Sequence, residues 1–431
     1  MRKVDERMSG VDVKEDPHAV AQVRVAKLQE RIQPYLDVRD EIETGFTAAE
    51  RIGRARERIL SLLGATQADW DNWNWQTKQR HLSMDTFGEI LNLSQEEREV
   101  YRQAQTDSVV SVSPYYLSLI DTENPRCPIR LQAVPDEEEY ETMPGSLDPS
   151  GEMYSSPHPG WVQRYPDRGI LLVNDIGVCP VACRFCQRRH NLSPMEPENH
   201  NPVDIWGAIE YIRRTPSIRD VLLTGGDALM LSDNRLERVL SELRTIPHVE
   251  IIRLGTRLPV TMPQRVTPEL CERLARYGVM GGHSAIWVVT HFNHPIEVTP
   301  ESAKAVRLLL GHGMPIVNQS VLLKGVNDHP HIITRLNQEL LRIGVKPYCL
   351  FHCKSVDGAT HFRTPVETGV EIVQYMNGNT SGLALPFYIV SLPGGKGKVR
   401  LITSEQLKPG EKPGSWYMTS WEGGSELYDE R

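Results

Sequence analysis

Ile170-Leu171-Leu172-Val173, followed by the loop Cys179-Pro180-Val181-Ala182-Cys183-Arg184-Phe185-Cys186, is the stretch on which the reading of this chain turns. A short aliphatic run reads as a buried strand, and the three cysteines fall on the loop at its C-terminal end. From Gly169 onward similar runs recur at Val221–Thr224, Ile251–Leu254, Ala285–Thr290, Val317–Leu323, Pro347–Phe351 and Phe387–Val390. Helix-like segments stand between them, among them Asp204–Arg214, Asn234–Thr245, Pro268–Tyr277 and Pro300–Gly311. Thr267-Pro268 and Thr299-Pro300 each put a capping side chain before a proline at the first helical position. Strand–helix alternation of this kind implies parallel βα units, and so an α/β fold built as a partial (β/α)6 barrel. In such barrels the chemistry belongs on the loops after the strands.

The chemistry of that first loop follows from its ligands. Cys-x3-Cys-x2-Cys offers three soft thiolates in one short segment, which suits an iron–sulfur cluster. Three ligands on a four-iron cluster leave one iron without a protein ligand, free to chelate a small molecule. Zinc would want a fourth ligand, and this loop offers no fourth cysteine. One βα unit later comes Thr224-Gly225-Gly226-Asp227. Its glycines allow close backbone approach to a ligand, and its carboxylate can meet an ammonium group. A non-catalytic electron carrier remains a rival reading, as does a maturation factor acting on a lysine of a partner protein.

Outward from this centre, the first ~110 residues read as helical. Thr47-Ala48-Ala49-Glu50 and Ser94-Gln95-Glu96-Glu97 have the form of capping boxes, and Gly64 is a plausible helix stop. Trp70, Trp73 and Trp75 read as anchors that pack this layer onto the rest. The Pro/Gly/acid-rich stretch from Val134 to Gly160 looks like a long connection across the surface. Three regions are expected: an N-terminal helical region and connection over 1–160, the barrel over 161–400, and a C-terminal tail or contact arm over 401–431. A net charge of −8 without clustered basic residues argues against a nucleic-acid surface. No apolar run approaches the roughly 18 residues of a membrane span. The N-terminus lacks the apolar core of a secretory signal, and seven cysteines in so long a chain are no disulfide scaffold, so a cytoplasmic setting is expected.

With these pieces in place, the chain resembles the radical S-adenosylmethionine superfamily, whose signature is the cysteine triplet. More narrowly it is similar to the lysine 2,3-aminomutase family. Arg164-Tyr165-Pro166-Asp167-Arg168, Cys186-Gln187-Arg188-Arg189, Asp220 to Leu229, Pro263-Gln264-Arg265, Thr290 to Pro295, Asn318-Gln319-Ser320 and His361 to Pro365 carry the likeness, which runs from about residue 20 to about 400. The family moves an α-amino group to the β-carbon, using a [4Fe–4S] cluster, S-adenosylmethionine and pyridoxal 5′-phosphate. The resemblance implies the cluster on Cys179, Cys183 and Cys186. It implies S-adenosylmethionine at Gly225, Gly226, Asp227, His291 and Gln319, and the cofactor phosphate at Arg164 and Arg168. In Leu392-Pro393-Gly394-Gly395-Lys396-Gly397-Lys398 it matches Lys398 to the lysine that carries pyridoxal phosphate, with Lys396 the other candidate. Arg188 matches the residue that pairs with the substrate carboxylate.

Departures from the family pattern narrow the substrate. The lysine enzymes receive the distal ammonium on two aspartates, and here those positions read Lys354 and Ser391. A lysine there repels a cation and pairs with a carboxylate. The branch acting on glutamate also has a lysine at the first position, with an amide residue at the second. The implied reaction is therefore L-glutamate to β-glutamate. Arginine, received by Asp357 with Lys354 swung away, and lysine are the alternatives. Phe351 stands where the lysine enzymes have a tyrosine, Tyr277–His283 carries an insertion, and the spacing from Arg168 to Cys179 is two residues longer than usual. The late cysteine cluster of zinc-binding members is missing and His329 replaces its earlier cysteine, so no zinc is expected. A reductant such as flavodoxin or ferredoxin and a homo-oligomeric state are also implied.

Overall fold

In the computed structural model, residues 16–107, 110–141, 143–174, 178–189, 203–401, 407–412, 415–419 and 425–429 are described. The chain divides into two compact units, Met1–Ile42 and Glu43–Arg431. In the first, one helix spans Pro17–Arg39, opened by Pro17 and by the Asp16 carboxylate, which accepts from His18 N at 3.0 Å. Among the described residues no helix is long and apolar enough to cross a membrane.

The second unit is built on one curled sheet. Strands β1 (Trp161–Val162), β2 (Arg168–Leu172), β3 (Asp220–Thr224), β4 (Ile251–Gly255), β5 (Ile286–Thr290), β6 (Ile316–Leu322), β7 (Lys346–His352), β8 (Phe387–Ser391) and β9 (Lys398–Arg400) lie side by side in chain order. β2 to β8 are parallel, while β1 and β9 run antiparallel at the two edges. Helices α1 (Ile205–Arg213), α2 (Asp233–Arg244), α3 (Pro268–Ala275), α4 (Pro300–Gly311), α5 (Pro330–Arg342) and α6 (Val366–Asn379) make the crossovers. The order is linear, so the barrel is open. Lys398 N on β9 donates to the Tyr165 hydroxyl, between β1 and β2, at 3.1 Å, which links the two edges.

Alternation along the strands sorts side chains between two environments. Leu171, Val221, Leu223, Ile252 and Leu254 are fully buried and pack with Ile209, Leu236, Leu240 and Leu270 of the outer helices. Their neighbours Ile170, Leu222, Gln319, Phe351 and Ser391 are only partly buried and face the lumen, where they line a cavity of about 330 Å³. The expected strands are all present, and the Thr267 and Thr299 hydroxyls cap α3 and α4 as predicted.

The N-terminal layer of the second unit shares this core through Ile52, Ile59, Trp70, Phe87, Tyr115 and Tyr116. Trp73 lies beneath the Arg265 guanidinium, 4.5 Å from ring centre to carbon. Gly64, with φ of 58°, ends the helix Ala49–Leu62 as expected. Ser94 and Glu97 form their capping box. Thr47 does not, because its hydroxyl pairs with Thr44 instead and the helix starts beyond it, at Ala49. In the C-terminal tail, β10 (Leu407–Pro409), β11 (Ser415–Thr419) and β12 (Ser425–Asp429) form a separate antiparallel sheet.

Candidate active site

The cysteine loop lies at the C-terminal ends of the strands and is tied down by the helical layer. Ser111 Oγ donates to Cys179 O at 3.1 Å, Ala182 N to Ser111 O at 2.8 Å, and Arg184 N to Gln132 O at 2.9 Å. The Gly-Gly turn after β3 meets it from the side. A Cβ on Gly226 would stand 3.2 Å from Cys179 Sγ, and Gly225 has φ of 135°, a conformation open to glycine. Burial, then Asp227 and the two other thiols, raise the Cys179 thiol well above its usual range; burial and Cys183 also raise Cys186. Thiols that disfavour one another's ionisation in this way need a bound metal to become thiolates. The donor set therefore fits a cluster. Among the described residues, no three His, Cys, Asp or Glu side chains are yet drawn into a closed metal site. Instead Arg257 Nη1 donates to Cys183 Sγ at 2.8 Å.

Arg257 is the hub of a buried network that sequence reasoning missed. It donates to Gln132 Oε1 at 2.6 Å and to the fully buried Glu297 at 2.7 Å. Burial works against its charge, but Cys183, Tyr116 and Glu297 raise its pKa. Asp227 takes three donors: Leu229 N at 3.0 Å, Thr256 Oγ1 at 2.7 Å and Arg257 N at 2.6 Å. Burial still pushes it up to about 6. The carboxylate thus ties the turn after β3 to the end of β4. Burial and Arg257 lower His291 to about 3, so the ring is neutral; Nε2–H donates to Asn293 Oδ1 at 3.0 Å and leaves Nδ1 as an acceptor. A register shift between Asn318 and Gln319 interrupts the β6–β7 ladder where Gln319 enters the same lumen.

The opposite wall carries the cations. Ser391 and Lys398 face each other across the β8–β9 pair, so their side chains share one face. The Lys398 ammonium sits 4.3 Å above the centre of the Phe351 ring, reachable by solvent through the open lumen. Burial, with Arg164, Arg253 and Arg168 adding to it against Cys349, lowers its pKa to about 8. Lys396 does not line the cavity. Glycines with positive φ at 394, 395 and 397 shape this loop. Arg168 lies over the Tyr165 ring and donates to Asp167 at 2.9 Å, and Arg164 donates to Ser150 O at 3.1 Å.

The stretch after Val134, expected as a surface connection, in fact supplies part of the site. Glu152 accepts from Arg188 Nε and Nη2, both at 2.9 Å, and lies 4.0 Å from Arg164. Burial pushes Glu152 up, but Arg188, Arg164 and Lys354 together hold it below the usual carboxylate range. Glu139 does the same for Arg184 and Arg189, at 2.7 Å each. Lys354, just beyond β7, donates to Ser150 Oγ and Gln187 Oε1. Its pKa falls to about 7, first through burial and then through Arg164, Arg188 and Lys398, with Glu152 opposing.

The radical SAM superfamily model matches residues 173–335, from just past β2 into α5. Glutamate 2,3-aminomutase of Clostridioides difficile is 43% identical over 93% of this chain and 92% of its own length. L-lysine 2,3-aminomutase of Fusobacterium nucleatum is 44% identical over 85% of this chain and 84% of its own, and that of Bacillus subtilis is 41% identical over 84% and 74%. The chain belongs to the radical SAM 2,3-aminomutase family. It is an isomerase whose cofactors are a [4Fe–4S] cluster, S-adenosylmethionine and pyridoxal phosphate. Of the residues expected to serve them, the three cysteines, Gly226, Asp227, His291, Gln319, Arg164, Arg188, Lys354, Ser391 and Lys398 line one lumen, whereas Gly225 and Arg168 do not line it. Asp357 does not line it and instead accepts from Gly145 N at 2.9 Å.

Proposed function

We propose that this aminomutase acts on L-glutamate and gives β-glutamate. The carrying observation is the company kept by Lys354. Its ammonium already faces three cations, Arg164, Arg188 and Lys398, against one carboxylate, Glu152. A substrate ammonium would add a fourth cation, whereas a carboxylate relieves the repulsion. The relatives named above are nearly equal in identity, so this charge, rather than overall similarity, supports the choice.

When bound, the reduced cluster and S-adenosylmethionine supply a hydrogen-abstracting radical, and pyridoxal phosphate carries the amino group as it moves. The chain's own residues hold and orient. Cys179, Cys183 and Cys186 keep the cluster, with Gly225, Gly226, Asp227, His291 and Gln319 around S-adenosylmethionine. Arg164 and Arg168 take the cofactor phosphate, for which a planar fork is apt. Lys398 is the cofactor lysine, supported by its place in the lumen and its lowered pKa, which leaves a larger share of free amine. Arg188 takes the α-carboxylate, two residues from the cluster loop's last cysteine, while Lys354 and Ser391 receive the distal carboxylate. A flavodoxin or ferredoxin would deliver the electron, in a cytoplasmic homo-oligomer. Incubation of the reconstituted enzyme with glutamate, arginine and lysine separately, with chromatography for β-amino products, tests the reading. β-Glutamate is the expected product, and β-arginine or β-lysine alone would overturn it.

A further inference from the structure

Gln187 stands between the last cysteine of the triplet and Arg188. Its side-chain oxygen accepts from the Lys354 ammonium and from Ser150 Oγ, the latter at 3.1 Å. Two donors on one oxygen fix which end of the amide faces Lys354. Lys354 also donates to Ser150 Oγ, and the Ser150 carbonyl accepts from Arg164. Three separate segments thus converge on one ammonium: the cysteine loop, the connection before β1, and the turn after β7.

We infer that Gln187 is a positioning and specificity-determining residue, holding the Lys354 ammonium with Ser150 where a distal carboxylate of the substrate meets it. This rests on the proposed glutamate reading. A lysine side chain has four rotatable bonds, and an ammonium without fixed acceptors would lose its place to solvent or swing to Glu152. An amide oxygen is an acceptor without charge. It orients the ammonium and leaves the positive charge unspent, whereas a carboxylate at this position would neutralise it and repel the substrate. The groups facing Lys354 are Arg164, Arg188 and Lys398 as cations, Glu152 as an anion, and Ser150 and Gln187 as neutral acceptors. The cysteine loop then carries three tasks in consecutive residues: Cys186 for the cluster, Gln187 for the far end of the substrate, and Arg188 for its near end.

The test uses the reconstituted holoenzyme with Gln187→Leu and Gln187→Glu, each first checked for unchanged cluster and pyridoxal absorbance, and with Ser150→Ala as a milder companion. Gln187→Leu should raise KM for glutamate about tenfold or more while kcat moves far less, as expected for a lost bond to a charged group. Gln187→Glu should cut kcat/KM further. The two should shift Lys354 in opposite directions, downward in pKa for Leu and upward for Glu. Acetic anhydride labelling of the substrate-free enzyme across pH, read on the Lys354 peptide, reports that shift without any substrate. Opposite labelling shifts in an enzyme that ignores glutamate would overturn the substrate reading and keep Gln187 as the residue that sets Lys354. Wild-type KM and wild-type labelling in both variants would overturn the inference.

Discussion

Replacing Lys354 by methionine removes the distal charge and keeps most of the stem. In the substrate-free protein the ammonium pKa falls from 10.5 to about 7, a difference of about three and a half units. At ~1.36 kcal/mol per unit, the pocket disfavours the charged lysine by roughly 5 kcal/mol. The methionine variant would leave the distal carboxylate desolvated and unpaired, a loss of ~3–5 kcal/mol. That corresponds to a fall in kcat/KM between about a hundredfold and a few thousandfold. The same geometry sets a pH dependence. Below about pH 7 Lys354 is charged in the free enzyme, so kcat/KM for glutamate should decline as pH rises through 7. The bound carboxylate raises the lysine pKa, so kcat, which reports the complex, should hold to higher pH. Steady-state kinetics on glutamate from pH 6 to 9, in wild type and Lys354→Met, measures both effects. Equal kcat/KM in the two enzymes, or a basic limb that survives in the variant, would refute the pairing.

Cys183→Ala should lose the four-iron absorbance and all deoxyadenosine formation, because two thiolates cannot retain a cluster with one open iron; normal iron content would refute that assignment. Lys398→Ala should abolish the visible absorbance of enzyme-bound pyridoxal while Lys396→Ala keeps it, and borohydride reduction with peptide mapping would expose the reverse assignment. Glu152→Gln removes the carboxylate that raises Lys354, so the basic limb of kcat/KM should move to lower pH; an unmoved limb would show that the two groups do not communicate.

The fold was legible because the parallel strands are rich in β-branched and aliphatic residues, set off by helix-like segments. Val221–Thr224 and Ile286–Thr290, for example, lie within β3 and β5. The ends of those strands carried half of the site in plain view: the cysteines, Gly225-Gly226-Asp227, and the Ser391–Lys398 pair. The carboxylates were hidden. Glu139 sits in the run Asp136-Glu137-Glu138-Glu139-Tyr140-Glu141, whose composition is that of a solvated face, yet its side chain is buried between Arg184 and Arg189. Glu152 meets Arg188 across 36 positions of sequence, a pairing that no local spacing announces. Arg257 and Glu297 were invisible for the same reason: each satisfies the other from different strand ends, β4 and β5, and neither stands in a recognisable pattern. The one signal available was the excess of arginines around the triplet, Arg184, Arg188 and Arg189, which demanded buried anions somewhere in the chain.

That same arrangement explains how relatives named for glutamate and for lysine can share more than two-fifths of their residues with one chain. In the proposed reading, what every amino acid has in common, its α-amino and α-carboxylate ends, is met by Arg188 beside the cluster loop and by the β9 lysine. In the proposed reading the distal group is met at the ends of β7 and β8, where Lys354 lies just past β7 and Ser391 closes β8 opposite Lys398. Charge inversion there leaves the scaffold intact, but it is not free of context. In the proposed reading Lys354 serves while neutral acceptors hold it and Glu152 offsets its cationic neighbours. An aspartate placed at 354 should therefore not, by itself, convert the enzyme to lysine. It would face the oxygens of Ser150 and Gln187, whose geometry is set for a donor, and would sit beside Arg164 and Arg188, which would claim it before a substrate ammonium could. Lys354→Asp should accordingly lose glutamate turnover while gaining at most weak lysine turnover, and efficient β-lysine formation by that single variant would disprove the dependence on Gln187 and Ser150.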